Sequence, residues 1–370
     1  MLGRHPKSIP YGRQRISLLD RIRVFDAVGG DMVTQGLRVD KFEADLAEFV
    51  GARYAVAFSS GTAALHAAAA AGGANPDWQA LVPNLTFVAS ANAPRYLGAE
   101  VVIGDIAAKD WNLDPVAIDH TIQMILPVHF AGLPANLDDQ AYRDTRAVII
   151  EDAAHAFGAR TAHGMVGNCA FSDMTCFSFH PVKSITTGEG GAVTTNSETY
   201  AASLRLFRNH GVVRSSGPAD WQYDISELGY NYRITDFQAA LGSSQLLKVK
   251  SYIERRGTIA DLYRQKLSGV PDLELPPMPP PGSTHAYHLF PILVPNRDEV
   301  ATRLRRAGIM VQVHYPSLRS LTLNAGCRSA SGGLETSTAI TDKILSLPVW
   351  PGLRRRQQLT VVEQLLRAMD

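Results

Sequence analysis

Cysteine is scarce. The three present, Cys169, Cys176 and Cys327, are odd in number and have no paired spacing, which excludes a disulfide framework and the usual zinc or iron–sulfur ligand patterns. A reducing compartment and no metal are the expectations. Neither sign of charge is in excess, with 36 Lys+Arg against 35 Asp+Glu and no long run of either. Neither nucleic acid nor a membrane surface is therefore an expected partner. No run of about 18 apolar residues occurs, the length a membrane helix needs. The opening MLGRHPKSIPYGRQRISLLD also lacks the apolar core of a secretion signal. These absences leave a cytoplasmic, soluble chain that handles a small molecule.

What is present is an alternation. Phe42, Leu46, Phe49 and Val50 recur at helical spacing, and Gly51 supplies a C-terminal stop. Short apolar runs then follow at Tyr54–Phe58, Ala80–Val82, Val101–Ile103, Met124–Val128 and Ala147–Ile150, interleaved with helical stretches at Thr62–Ala71 and Phe87–Leu97. That rhythm predicts an α/β fold with a mainly parallel, buried sheet. Leu204–Phe207 and Asp236–Val249 again read as helical, and a long charged helix begins after Ser251. The run Pro276–Gly282 reads as a linker or loop. His288–Val294, Val300–Ala307, Met310–His314 and a terminal helix over Arg354–Met369 suggest a smaller α+β domain. A chain of 370 residues is long enough for two domains, placed here at 1–250 (N-terminal arm and large domain) and 251–370 (small domain).

Three elements carry chemistry. Ser59-Ser60-Gly61-Thr62-Ala63 follows a predicted strand and opens a predicted helix, where backbone N–H groups can hold a phosphate at the positive helix end. Small-residue turns of this kind are common without a ligand. Asp152 follows the apolar run Ala147–Ile150, at the carboxyl end of a strand where ligands gather, although a capping Asp would look the same. Lys183 lies in FSFHPVKSITTGEGG, flanked by hydroxyls and glycines. Lysine is usually a solvated surface charge, but here a phosphate cup, a strand-end carboxylate and a lysine in a Gly-rich turn follow one another along the chain.

That order resembles the fold-type I pyridoxal-phosphate enzymes, and in particular the DegT/DnrJ-type sugar-nucleotide aminotransferases. The resemblance spans essentially the whole chain. It rests on SSGTAALH (Ser59–His66), TFVASAN (Thr86–Asn92), PVHFAGLP (Pro127–Pro134), EDAAHAFGA (Glu151–Ala159), FSFHPVKSITTGEGGAV (Phe177–Val193) and ELGYNYRITDFQAALGSSQL (Glu227–Leu246). It implies an aspartate-aminotransferase-like large domain and pyridoxal 5'-phosphate as cofactor. Lys183 would bond the cofactor's aldehyde and then move the proton, because lysine is both nucleophile and base. Asp152 would keep the pyridine nitrogen protonated. Gly61, Thr62 and Ser178 would bind the phosphate, Phe87 would stack on the ring, and His155 would lie beside it. Asn231, with Arg233 in the same loop, would reach the active site of the neighbouring subunit of a homodimer, Asn231 touching the phosphate there.

Softer matches in IPYGRQ, VTQG, HPVK, LFRNHG and VQVHY are similar to the branch of that family that makes pseudaminic-acid-type nucleotide sugars. Such enzymes aminate C4 of a UDP-linked 2-acetamido-2,6-dideoxy-4-keto-L-sugar with L-glutamate as donor. Tyr11, Thr34, His314 and Tyr315 would then contact the sugar nucleotide. The chain departs from that pattern at Pro316–Leu321 (PSLRSL), a loop expected to border the substrate. Perosamine- and bacillosamine-type acceptors remain alternatives. Sugar dehydratases of the family replace the lysine or add an iron–sulfur cluster, and a non-catalytic regulator would show an eroded site; neither feature is present.

Overall fold

The computed structural model describes residues 8–214 and 221–370. The chain opens with helices α1 (Leu18–Val28) and α2 (Leu37–Val50), then β1 (Tyr54–Phe58), α3 (Gly61–Ala71), β2 (Gln79–Pro83), α4 (Val88–Arg95) and β3 (Glu100–Gly104). Next come β4 (Met124–Ile125), α5 (Gln140–Asp144), β5 (Val148–Asp152), the short pair β6 (Arg160–Thr161) and β7 (Gly164–Met165), β8 (Met174–Ser178) and β9 (Gly191–Thr195). Helix α6 (Glu198–Arg208), the pair β10 (Val212–Arg214) and β11 (Tyr223–Ile225), α7 (Asp236–Leu246) and α8 (Val249–Leu267) lead into the last third. That part holds β12 (Phe290–Leu293), α9 (Arg297–Arg306), β13 (Arg328–Ser329), α10 (Glu335–Lys343), β14 (Ile344–Leu347) and α11 (Arg355–Met369).

Local chemistry fixes the helix ends. Ser17 and Asp20 form a reciprocal capping box on α1. Helix α2 stops where Gly51 turns left-handed, at φ 81°. Ser60 caps α3, its hydroxyl accepting from Ala63 N–H at 3.1 Å.

One eight-stranded sheet, in the order β1-β9-β8-β5-β4-β2-β3-β13, organises the larger part. Only β9 runs against the rest, antiparallel to both β1 and β8, while β8, β5, β4, β2, β3 and β13 pair in parallel. Alternate residues of each strand enter cores on opposite faces. Val56, Val82, Val101 and Ile150 pack on one side with the alanines of α3, and Leu81, Val102, Ile125 and Ile149 on the other. Burial of both faces explains why these strands read as continuous apolar runs.

A separate core gathers Ile259, Tyr263, Phe290, Ile292, Leu304, Leu345, Val361 and Leu365 from the last third of the chain, together with Ile9. The arm thus joins this C-terminal core: Ile9 pairs with Ile309, and Val349 N–H donates to the Tyr11 carbonyl at 3.0 Å. Met310–His314 forms no ladder, making only single bridges through Gln312 to Ser346 and beside it at Ile309. Among the described residues no helix is long and apolar enough to cross a membrane.

Candidate active site

Because the strands that supply them run in parallel, β1, β2, β5 and β8 deliver their C-terminal ends to one edge of the sheet. A cavity of about 310 Å3 opens there, lined by Gly61, Thr62, Phe87, Asp152, His155, Ser178, Lys183, His288, Tyr11, His314 and Tyr315 among others. This is the volume range of small-molecule sites.

The N-terminus of α3 forms one wall. A Cβ on Gly61 would sit 2.7 Å from the Ser178 Cβ, and one on Gly191 would sit 2.4 Å from the Ser60 carbonyl oxygen. Only glycine lets the β8 and β9 ends press against this turn, so the backbone N–H groups and the hydroxyls of Thr62 and Ser178 face one small space.

Asp152 ends β5 and is buried. One carboxylate oxygen accepts from the Ser90 hydroxyl at 2.7 Å and the other from Ala154 N–H at 3.1 Å. Those bonds orient the side chain while leaving lone pairs for a further donor. Lys183 is half-buried in the turn after β8, its N–H bonded to the His180 carbonyl at 3.0 Å. Burial lowers its amine from the ordinary 10.5 to about 8, against the opposing pull of the Asp152 carboxylate. An amine so poised is a far better nucleophile at neutral pH than a surface lysine.

A cluster of rings closes the opposite side. His155 Nε2 lies 3.0 Å from the Tyr315 hydroxyl, and its buried Nδ1 has no hydrogen-bond partner among the described residues. The ring of His288 is 4.6 Å from that of His155, and both are held well below the usual histidine range by burial, then by the nearby Lys183. His314, bonded through Nδ1 to Ser346 Oγ at 3.0 Å, is pushed down to about 4 by the same causes. Three neutral imidazoles therefore surround the lysine. Half-exposed Phe87 packs 5.7 Å from Tyr315, and Tyr11 5.5 Å from His314.

Three residues singled out in the sequence lie elsewhere in their own chain. Thr34 bridges Thr235, Asn231 bridges Asn209, and the Arg233 guanidinium donates to Asn209 Oδ1 at 2.7 Å. Arg233 lines a separate depression with Gln35, Arg205 and Arg208. The divergent Pro316–Leu321 loop does not line the cavity either; Leu318 is fully buried in the core. Sequence reasoning missed His288, Ser90 and Asn84. His288 stood within an apolar run and was read only as part of a strand.

Glycines that clear the cup, an unpartnered buried imidazole nitrogen and an amine of depressed basicity fit pyridoxal phosphate. Together with the sheet order, they make the chain a fold-type I pyridoxal-phosphate enzyme.

Comparison with known proteins agrees. Residues 19–366 match the DegT/DnrJ/EryC1/StrS aminotransferase family. The chain is 36% identical over 320 residues to the UDP-4-amino-4,6-dideoxy-N-acetyl-beta-L-altrosamine transaminase of Campylobacter jejuni, covering 83% of each. It is 32% identical over 349 residues to the GDP-perosamine synthase of Caulobacter vibrioides, covering 90% of each. The solved structure of Helicobacter pylori PseC, an aminotransferase involved in the biosynthesis of pseudoaminic acid, superposes with a TM-score of 0.90 at 26% identity, over 98% of this chain and 99% of that one. The chain belongs to the DegT/DnrJ/EryC1/StrS aminotransferase family. It is a pyridoxal-phosphate-dependent sugar-nucleotide aminotransferase.

Proposed function

We propose that this enzyme transfers the amino group of L-glutamate to the C4 ketone of a UDP-linked 2-acetamido-2,6-dideoxy-4-keto-L-sugar, in pseudaminic-acid-type nucleotide-sugar synthesis. Likeness to the Campylobacter altrosamine transaminase carries this reading. Similarity to the perosamine synthase favours a second acceptor, a 4-keto sugar of the D series on another nucleotide. The working place is the cytoplasm.

In this reading Lys183 would hold the cofactor through its aldehyde and would serve, as a free amine, as the base that moves a proton at the substrate carbon. Asp152, oriented by Ser90 and the Ala154 N–H, would hold the pyridine nitrogen protonated. Gly61, Thr62 and Ser178 would hold the phosphate. Phe87 and His155 would flank the ring, with His155 kept neutral by its burial. When bound, the cofactor supplies an electron sink and a carrier for the amino group. Tyr11, His314 and Tyr315 contact the sugar nucleotide.

Thr34, Asn231 and Arg233 lie away from their own chain's cavity. We assign them to the partner's site in a homodimer with shared active sites. Residues 1–250 make the arm and large domain and 251–370 the small domain, the arm packing onto the small domain's core.

The test is kcat/KM for the 4-keto-L-arabino-type UDP sugar beside its D-xylo epimer, each with the enzyme first aminated by glutamate. Preference for the L-sugar supports the reading. Preference for the D-xylo compound overturns the sugar assignment and leaves the aminotransferase standing.

A further inference from the structure

The side chain of Asn84 follows β2 and is wholly buried, yet every polar atom it owns is engaged. Its Oδ1 accepts from the Ser317 hydroxyl at 3.0 Å and from Arg319 N–H at 2.9 Å. Its Nδ2 donates to the Ser337 hydroxyl of α10 at 2.8 Å. The backbone carbonyl accepts from Leu318 N–H at 2.9 Å, and the backbone N–H donates to the Gly104 carbonyl at 2.9 Å. Asn84 thus joins the ends of β2 and β3 to the 317–319 turn and to α10. The turn is held on its other side too, by the buried Leu318 and by the Arg319 guanidinium, which donates to the carbonyls of Asn324 and Cys327.

Only Pro316 separates this turn from Tyr315, and its ring fixes one backbone dihedral. Tyr315 in turn holds His155 and packs on Phe87. Displacement of Ser317 is therefore passed to His314 and Tyr315, which line the cavity and are assigned above to the sugar acceptor. The loop that sets this chain apart in sequence has no side chain in the cavity, so its influence runs through its backbone position.

We infer that Asn84 is a positioning residue for sugar-acceptor specificity: it clamps the Ser317–Arg319 turn and so sets where His314 and Tyr315 stand. The inference rests on the keto-sugar acceptor proposed above. An amide suits the task because it accepts twice at one atom and donates from another, so one buried side chain reaches the turn and α10 at once, whereas a carboxylate has no donor and a hydroxyl carries all its capacity on a single oxygen.

Two half-reactions can be followed separately in the holoenzyme from the cofactor's absorbance: amination by glutamate, and return of the amino group to the sugar. In Asn84→Ala the sugar KM is expected to rise about 10-fold or more, since misplacement near 1 Å can cost about 100-fold, while the glutamate half-reaction changes less than about twofold. Ser317→Ala, which loses one of these bonds, should raise the sugar KM in the same direction by a smaller factor. Ser337→Ala, which loosens α10 without touching the turn, should lower thermal stability and leave KM within about twofold. Hydrogen exchange of the 314–321 segment, measured without substrate, should speed up in Asn84→Ala and Ser317→Ala and stay unchanged in Ser337→Ala. Unchanged exchange in the first two overturns the clamp, as does an equal KM shift in all three variants. An enzyme that aminates no keto sugar would instead defeat the proposed acceptor, and the exchange measurement would still decide whether the clamp exists.

Discussion

The Nε2 of His155 and the hydroxyl of Tyr315 stand 3.0 Å apart across 160 positions of sequence, tying the carboxyl edge of the large sheet to the segment that leads into the divergent loop. Burial keeps the Tyr315 hydroxyl protonated by raising it above its ordinary 10.0, and keeps His155 neutral. Tyr315→Phe removes this bond and little else. A single neutral hydrogen bond contributes about 1 kcal/mol, roughly fivefold in rate. The loss is expected mainly in the sugar half-reaction, read by single-turnover absorbance; an equal loss in both halves would move Tyr315 out of the acceptor side.

Lys183→Ala should abolish turnover and leave no covalently attached cofactor after borohydride reduction, because among the described residues no second amine lines the cavity. Asp152→Ala should still attach cofactor yet slow turnover by about 100-fold or more, as loss of a preorganised charge partner does. Intact-mass analysis of reduced protein beside steady-state rates separates the two variants.

The depressed basicity of Lys183 gives a pH signature. Only the neutral amine attacks an aldehyde, so capture of pyridoxal phosphate by the cofactor-free protein should rise with pH to a midpoint near 8. An ordinary lysine at 10.5 would still be climbing at pH 9. Below the midpoint the rate should fall about tenfold per pH unit. Stopped-flow absorbance from pH 6 to 9.5 reads this directly, and a midpoint above 9.5 would mean that Lys183 is solvated.

Much of this site was legible because its signals are local. A strand-end Asp152, the Ser59–Ala63 turn and a Gly-flanked Lys183 each announce themselves within a few residues, and parallel topology alone brings strand ends together. Asn84 and Ser317 lie 233 positions apart, and no periodicity marks a side-chain hydrogen bond of that span. His288 sits beside β12, whose apolar pattern masks a buried imidazole. The loop Pro316–Leu321 stands out in the sequence by its divergence, but its inward-turned Leu318 depends on tertiary packing.

Acid stability tests a histidine outside the cavity. Burial, with the charge of Arg264 adding to it, pushes His285 from 6.5 down to about 3, and its Nδ1 accepts from Tyr287 N–H at 2.8 Å. The folded state keeps this ring neutral while the unfolded state takes up a proton below about pH 6.5. Stability is thus full above that pH and declines as pH falls toward 3, by roughly 1.4 kcal/mol per pH unit for this one group. His285→Asn keeps an acceptor for Tyr287 and removes the titration. Urea unfolding of the holoenzyme from pH 8 to 5 should show a shallower pH slope in the variant; an identical slope would contradict the assignment.

Shared active sites are tested by mixing Lys183→Ala subunits with weakened Asn231→Ala subunits. If Asn231 serves the partner's site, each mixed dimer has one site with both lesions and one with neither, so activity returns. With subunit exchange verified by mass, no recovery would place Asn231 in its own subunit's site or outside the site altogether.

The most direct measurement is a single turnover. Enzyme aminated with glutamate and freed of excess donor is mixed with the UDP-linked 2-acetamido-2,6-dideoxy-4-keto-L-sugar, and the product is identified by mass and NMR. One 4-amino sugar per active site is expected, with the lysine-bound cofactor absorbance restored at the same rate. No amino sugar from this ketone, alongside amination of a D-xylo acceptor by the same enzyme, would contradict the proposed acceptor.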